Sequence, residues 1–585
     1  MSLLPVVVGC ALILLVAYRL YGRLLSRLFR LDPQAKTPAV EQRDDLDFVP
    51  IEPKFLFGQH FSAIAAAGPI VGPILAGVMF GWLPALIWII VGSIFIGGIH
   101  DMGALVASVR HKARSIAEVV REHMNHRSYI LFLIFIWITL VYIIVAFTDI
   151  VASSFIGRQT LEDGTVISGG GIATSSVLYL LLPLVMGLLL RYTRLSLKWA
   201  TVIFLPLVGV AIWAGPHLPF DLAALLGVSD ANAVRVWNVL LLGYCVVASM
   251  VPMWLLLQPR GHLGGYFLLV ALFGGMLGIL FGGKPIQYPA FTGWVTPKGE
   301  ALFPILFITI ACGACSGFHA LVASGTTSRQ LRRETDALPV GYGAMLMEGM
   351  VAVVSLCCVM MLAPGDPAVA GGQPKANMIY GMGMGSFLQV VGVPMGFAVS
   401  FALLAFTTFV YDTLDVSTRL GRYILQELTG WQGPAGRWVA TLVTTATPLF
   451  FVMQKLQDAA GKPIPAWRMF WSLFGACNQL LAALALIGVT VWLYRTYRAR
   501  WVWPAAGLPA LWMYVVSMWA LAGFVRQGFF TPAGAFAGFT TNAVPWVALI
   551  LILLALLLLV EAIRAFLTPA GRGASPPAPA TASAD

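Results

Sequence analysis

Few residues in this chain could do chemistry, and most of them stand where a charge is expensive. Glu348 lies about seven residues into an apolar run, some 10 Å at ~1.5 Å per residue. Asp101, beside His100, sits at a similar depth in an earlier run. Asp149, Asp412 and Asp415 mark the ends of two more runs, and Arg419 follows Asp415 by one helical turn. His60 and His319 also fall within apolar stretches. Desolvation favours the neutral form of a carboxyl group, so a carboxylate held away from water can exchange a proton near neutral pH. That property suits proton-coupled movement of a solute. Glu348 and Asp101 are the leading candidate proton sites, followed by His60 and His319, whereas Asp415 with Arg419 reads first as an ion pair fixing a helix end.

A second cluster is built of hydroxyls. In CSGFHALVASGTTSRQLRR, Ser316, Ser324, Thr326 and Thr327 accompany His319 and could hold a sodium ion or touch a substrate. The plainer alternative is hydroxyls bonded back to their own helix. A third feature is a weak point in the backbone. QHFSAIAAAGPIVGPILAG carries Gly68, Pro69, Gly72 and Pro73 mid-run, which predicts a helix broken between Ala67 and Pro73. A half-helix starting near Pro73 would aim the amides of Val71 and Gly72, and its positive dipole end, at the gap, a site for a small anion. The alternative is a merely kinked helix. Asn478 and Gln479 read as interhelical hydrogen-bonding groups. Cys312 and Cys315 have CxxC spacing without a second ligand pair, so they read as small buried residues and no metal site or cofactor is expected.

The elements that must hold these residues are membrane helices. Of 585 residues, 59% are hydrophobic and only 10% charged, against roughly 25% charged in soluble domains. Windows of ~20 apolar residues give about fifteen spans, near 3–22, 60–80, 82–108, 129–157, 174–190, 199–215, 234–257, 265–282, 301–324, 342–363, 385–410, 438–454, 468–493, 506–525 and 543–563. The fold class is therefore all-α and polytopic. An enzyme would need clustered metal ligands or a nucleophile with its base, and a sensor would need an output domain. No such pattern is visible. All seven cysteines lie in apolar runs, which excludes a secreted disulfide framework.

The net charge of +11 carries orientation and no nucleic-acid footprint. Arg19, Arg23, Arg27 and Arg30 follow the first span, so it reads as an uncleaved span with its N-terminus outside. Alternating the loops from there places 27 Lys and Arg inside and 9 outside, with a cytoplasmic C-terminus. If the break in the second span opens a five-helix inverted repeat, its equivalent is the span at 234–257, with Ser249 and Pro252, inserted in the opposite sense. The tail 568–585, rich in Pro, Ala and Ser, is expected to be disordered.

Five motifs in order name a family. KFLFGQHFSAIAAAGPIVGPILAG, IHDMGALVASVR, LFPILFITIACGACSGFHALVASGTTSRQLRRETDALPVGYGAMLMEGMVA, LDVSTRLGRYILQELTG and WSLFGACNQLLAALAL together resemble the carbon starvation protein A (CstA) family over roughly residues 1–500. The resemblance implies an inner-membrane secondary transporter with an N-terminal CstA region (1–365) and a C-terminal multi-helix region (366–567). It implies a LeuT-like (APC-type) inverted-repeat core with additional C-terminal helices. It also implies uptake of peptides or of pyruvate with protons under nutrient limitation. His60, Gly68, Pro69, Gly72, Pro73, Asp101, His319, Ser324, Gly325, Thr326, Thr327, Glu348, Asp415, Arg419, Asn478 and Gln479 stand at motif positions of the family. Gln59, His100 and Asp412 depart from it. The sequence thus predicts a symporter for a small carboxylate, pyruvate first, with the lipid bilayer as its setting, a coupling proton or sodium, and no cofactor. Peptide uptake is the alternative, and a passive channel ranks below it.

Overall fold

The computed structural model describes residues 2–44, 48–65, 67–160, 166–369, 374–431, 433–454, 464–531, 533–540 and 542–568. The tail expected to be disordered lies outside them from residue 569 onward. Helices dominate, because backbone polar groups in hydrocarbon must be satisfied within their own segment. Beyond isolated bridges, the strand pairing among the described residues is one short antiparallel ribbon, Arg158–Thr160 with Val166–Ser168.

Twelve helices among the described residues are long and apolar enough to cross a membrane, or thirteen counting one bent pair as a span. The protein is therefore a multi-pass, all-α membrane protein, with fewer regular spans than the fifteen expected. Two segments account for the difference. Residues 301–324 do not form one helix but two, Leu302–Thr309 and Gly317–Val322, the second running on into a π-helical turn at Ala323–Thr327. Residues 438–454 do form a helix, Gly433–Val452, but Arg437 and its threonines leave it less apolar. A further boundary moves: 385–410 divides into Ala376–Val390 and the 35-residue helix Met395–Thr429. Ala376–Val390 meets Ser154 through Asn377 and lies against Gly278 through Phe387, both near the C-terminal ends of their helices.

Burial separates a centre from a rim. In Ala466–Tyr497 the apolar window is 94% buried, against 28% in both Leu3–Leu28 and Leu197–His217. The rim helices keep apolar faces outward, as a bilayer requires, and the deeply buried helices Glu334–Met360 and Met395–Thr429 carry Glu348, Asp412, Asp415 and Arg419.

The expected break in the second span is present, but its second half-helix starts at Gly68 instead of near Pro73. Pro53–Ile64 and Gly68–Phe80 meet at 46°. The second half-helix begins at Gly68, so Pro73 lies within it and the Val71 amide is spent on the Ala67 carbonyl at 2.8 Å. Gly72 faces the other break: a Cβ there would run into the Thr309 carbonyl and come within 3.3 Å of Ile310 Cα. The two breaks therefore cross in direct backbone contact, which only glycine permits.

The expected partner break at 234–257 does not form. Asp230–Met250 is one continuous helix and Pro252 lies beyond its end, where a proline costs no internal hydrogen bond. The actual second break, in ITIACGACSG, contains no proline. Its freed backbone groups are taken by the neighbouring helix Ala466–Tyr497. Gln479 Nε2 donates to the Phe307 carbonyl at 2.6 Å, and the Phe318 amide donates to Asn478 Oδ1 at 3.0 Å. Asn478 also bonds Ser316. One adjacent Asn-Gln pair clamps both sides of the gap.

Candidate functional site

Beside the crossed breaks, three titratable side chains with no solvent exposure form a chain. His319, on the half-helix after the second break, has Nδ1 2.8 Å from Asp101 Oδ2. Its Nε2 lies 3.2 Å from Glu348 Oε2, within ion-pairing distance but without hydrogen-bond alignment. Asp101 Oδ1 in turn meets His100 Nδ1 at 2.7 Å. Three elements are joined here: Trp82–Arg110 brings Asp101 and His100, Gly317–Val322 brings His319, and Ala344–Met360 brings Glu348. The last of these packs along Gly68–Phe80, so the chain of side chains ties one break to the helix bearing the other.

His60 extends the site. Its Nδ1 is 2.8 Å from Thr327 Oγ1, while Nε2 has no partner among the described residues. A cavity of about 20 Å³, room for one water molecule, is lined by His60, Gln59, Gly261, Thr326, Thr327 and Asp412 among others. The much larger groove of about 1050 Å³ is lined almost wholly by apolar and aromatic side chains such as Trp88, Phe307 and Trp512, and lies apart from this chemistry.

On the far side of Asp412 is a second charged cluster that the sequence reading missed. Arg260 is completely buried in the first turn of Leu257–Gly282. It meets Asp412 through Nε at 2.8 Å and Asp415 and the Tyr244 hydroxyl through Nη1. Ser62, on the same half-helix as His60, donates to Asp412. Arg260 reads from sequence as a lone loop charge in QPRGHLGG. The helix starts eight residues earlier than the apolar window at 265–282, which carries Arg260 inside. The partner expected for Asp415 is also corrected: Arg419 turns away and donates to the Ala248 and Val251 carbonyls at 2.7 Å each, capping the helix Asp230–Met250.

The other candidate residues divide. Ser324 and Thr326 donate to the carbonyls of Ala320 and Val322, the plainer alternative for such hydroxyls, and Ser324 also accepts from the Ile116 amide. Ser316 is held by Asn478, and Gly68, Pro69, Val71, Gly72 and Pro73 are packed within the second half-helix. Asp149 caps Ala466–Tyr497 through the Trp467 amide at 2.9 Å and bonds Asn238. Among the described residues one group has the reach to hold a metal ion. His111, Glu122 and His123, at the corner after Trp82–Arg110, bring ligand atoms within 4.8 Å of one another. Burial, helped by His111 and Arg495, holds the His123 imidazole down at about 4, in its neutral form, and His111 and His123 already hydrogen-bond through their Nε2 atoms at 2.7 Å.

The sequence profile of carbon starvation protein CstA matches residues 2–375 and 368–520. The chain belongs to the CstA family. It is 32% identical to the pyruvate/proton symporter BtsT of Escherichia coli, over 89% of this chain and 81% of that protein. It is also 32% identical to the peptide transporter CstA of the same organism, over 88% and 80%. Among solved structures, a mutant of the Eremococcus coleocola manganese transporter superposes with a TM-score of 0.42 at 14% identity, over 89% of this chain and 98% of that one. As a CstA-family protein the chain is a transporter.

Proposed function

We propose that this CstA-family protein is a secondary active symporter of the inner (plasma) membrane that imports a small carboxylate, pyruvate first, together with protons. The observation that carries this reading is His319 held between Asp101 and Glu348 with no solvent exposure on any of the three. Two carboxylates and one imidazole cannot all be ionised in a dry site without leaving an uncompensated buried charge. The group therefore holds a proton inventory, and gaining or losing one proton changes its net charge. Because the three side chains sit on different elements around two helix breaks, each protonation state favours its own arrangement of the half-helices. A proton thereby biases a conformational equilibrium, which is the requirement for coupling.

The carboxylate site lies away from the break at Gly68, since the Ile70 and Val71 amides bond the Ala67 carbonyl and Gly72 is occupied by the Thr309 backbone. A LeuT-like alternating-access core, with the two crossed segments moving against the long helices, fits this arrangement. The distribution of Lys and Arg supports an outside N-terminus and a cytoplasmic C-terminus. The pyruvate/proton name of one relative supports the substrate, and the peptide name of the other makes an alanyl dipeptide the comparison to run. Uptake of labelled pyruvate and of that dipeptide into proteoliposomes, under an imposed proton or sodium gradient, tests the reading. Pyruvate accumulating under the proton gradient supports it. Accumulation of the dipeptide alone, dependence on sodium alone, or pyruvate equilibrating without accumulation would each overturn it.

A further inference from the structure

Arg260 is a buried guanidinium whose best binding edge makes no aligned hydrogen bond among the described residues. The side-on fork formed by Nε and Nη2 is the edge that grips a carboxylate with two parallel hydrogen bonds. Here Asp412 Oδ1 stands 2.8 Å from Nε without hydrogen-bond alignment, and neither Nε nor Nη2 has a hydrogen-bond partner among the described residues. The opposite side is fully engaged: Nη1 holds Asp415 and the Tyr244 hydroxyl, and the Tyr411 ring centroid is 5.3 Å from the guanidinium carbon. A donor pair with no solvent exposure and no aligned acceptor is costly unless a ligand uses it.

Asp412 controls access to that edge. It lines the small cavity beside His60 on one side and touches Arg260 on the other, so it stands between the two. Its second oxygen is held by Ser62 on the first half-helix. The close approach is made possible by Gly264, where a Cβ would lie 2.6 Å from both Asp412 Oδ2 and Ser62 Oγ. The charge count of the cluster is one cation against two carboxylates, with Arg419 spent on carbonyls nearby.

We propose that Arg260 is the anchor for the substrate carboxylate, which takes the Nε/Nη2 fork in place of Asp412, while Asp412 moves off Nε, keeps its hydrogen bond from Ser62 and accepts a proton. This deepens the symport reading and rests on it. One anion and one proton arrive together, so the charge of the cluster does not change on loading. Without the proton, a third carboxylate would be buried beside a single guanidinium, a penalty that forbids loading the substrate alone. The charged and titratable groups that face Asp412 are Arg260, Asp415 one turn further along its own helix, His60 across the cavity and the Tyr179 hydroxyl near Gly264. The fork selects for a carboxylate and asks nothing of an amine, so the class of ligand is a small monocarboxylate.

Binding of pyruvate to the purified full-length protein, followed by calorimetry, tests the exchange. With one proton taken up per anion bound, the wild-type Kd rises by about tenfold per pH unit between about pH 6 and about pH 8. Asp412→Asn, which cannot ionise and leaves the fork open, binds with a Kd independent of pH across that range. Arg260→Gln weakens binding by about 30-fold or more. If Arg260→Gln does not fold, Asp412→Asn decides alone. An Asp412→Asn protein that keeps the wild-type pH dependence, or a folded Arg260→Gln protein with wild-type affinity, overturns the proposal. Proton-driven pyruvate uptake by the wild type alongside either of those results leaves the symport reading intact and removes only the role of Arg260. A wild type that neither binds nor takes up pyruvate removes both.

Discussion

His319 Nδ1 and Asp101 Oδ2 lie 2.8 Å apart although 218 residues separate them in the chain. That contact joins a half-helix lying beyond a backbone break to a continuous spanning helix. Motion at the break therefore cannot occur without changing the environment of a buried ion pair, and this is the physical basis for coupling a proton to a conformational step.

The integrity of the second break depends on Asn478. Its side chain accepts from the Phe318 amide and bonds Ser316, all buried. Replacing Asn478 by Ala leaves these groups unsatisfied and is expected to lower stability by about 1–3 kcal/mol. Thermal unfolding in detergent reads this directly, and a midpoint equal to that of wild type would remove Asn478 from the clamp.

Arg419 and Arg260 are both buried arginines near Asp415, but they do different work. Arg419 caps two carbonyls at the end of Asp230–Met250. Arg419→Gln is expected to cost about 1.5–3 kcal/mol of stability through those charged hydrogen bonds, with the KM for pyruvate unchanged. A raised KM at unaltered stability would place Arg419 in the substrate site instead.

Gly72 permits the two breaks to touch. Gly72→Ala forces a methyl group against the Thr309 carbonyl, an overpacking expected to cost about 1–3 kcal/mol. Melting temperature and uptake should fall together. A variant with wild-type stability and transport would mean that the crossing is looser than described.

Thr327 fixes His60 through its Nδ1 atom, leaving Nε2 without a partner among the described residues. Thr327→Val removes about 1 kcal/mol of orienting hydrogen bond, roughly a fivefold loss of uptake rate. Thr326→Val, whose hydroxyl is bonded back to Val322, serves as the comparison and should retain most of its activity. Equal losses in both variants would show that the hydroxyls act together, for example on a bound sodium ion.

These particulars also mark what the sequence could tell. The break at Gly68 was legible because proline and glycine disable a helix locally, and Glu348, Asp101 and His319 were legible because each is a titratable group in an apolar run. Their convergence was not, since it depends on three helices distant in sequence. The second break escaped notice because its instability is not written in its own residues. Small side chains at Ala311, Gly313 and Ala314 allow it, but Asn478 and Gln479, some 165 residues later, stabilise it by satisfying the opened backbone. Arg260 was hidden by a boundary: a lone cation between two apolar runs looks like a loop, and only the extra turns of helix carry it inside. Asp415 was paired with Arg419 by spacing alone, whereas tertiary packing gave it Arg260.

The central claim is that protonation of the His319 chain biases the conformational step on which proton-driven accumulation depends, and Glu348→Gln tests it most directly. Glutamine keeps the shape of the side chain and removes its ability to ionise. In proteoliposomes, two measurements are made on the same preparation: exchange of labelled for unlabelled pyruvate without a gradient, and accumulation of labelled pyruvate under an imposed proton gradient. The expected result is that exchange persists while proton-driven accumulation is lost. Accumulation at the wild-type level in Glu348→Gln would contradict the account.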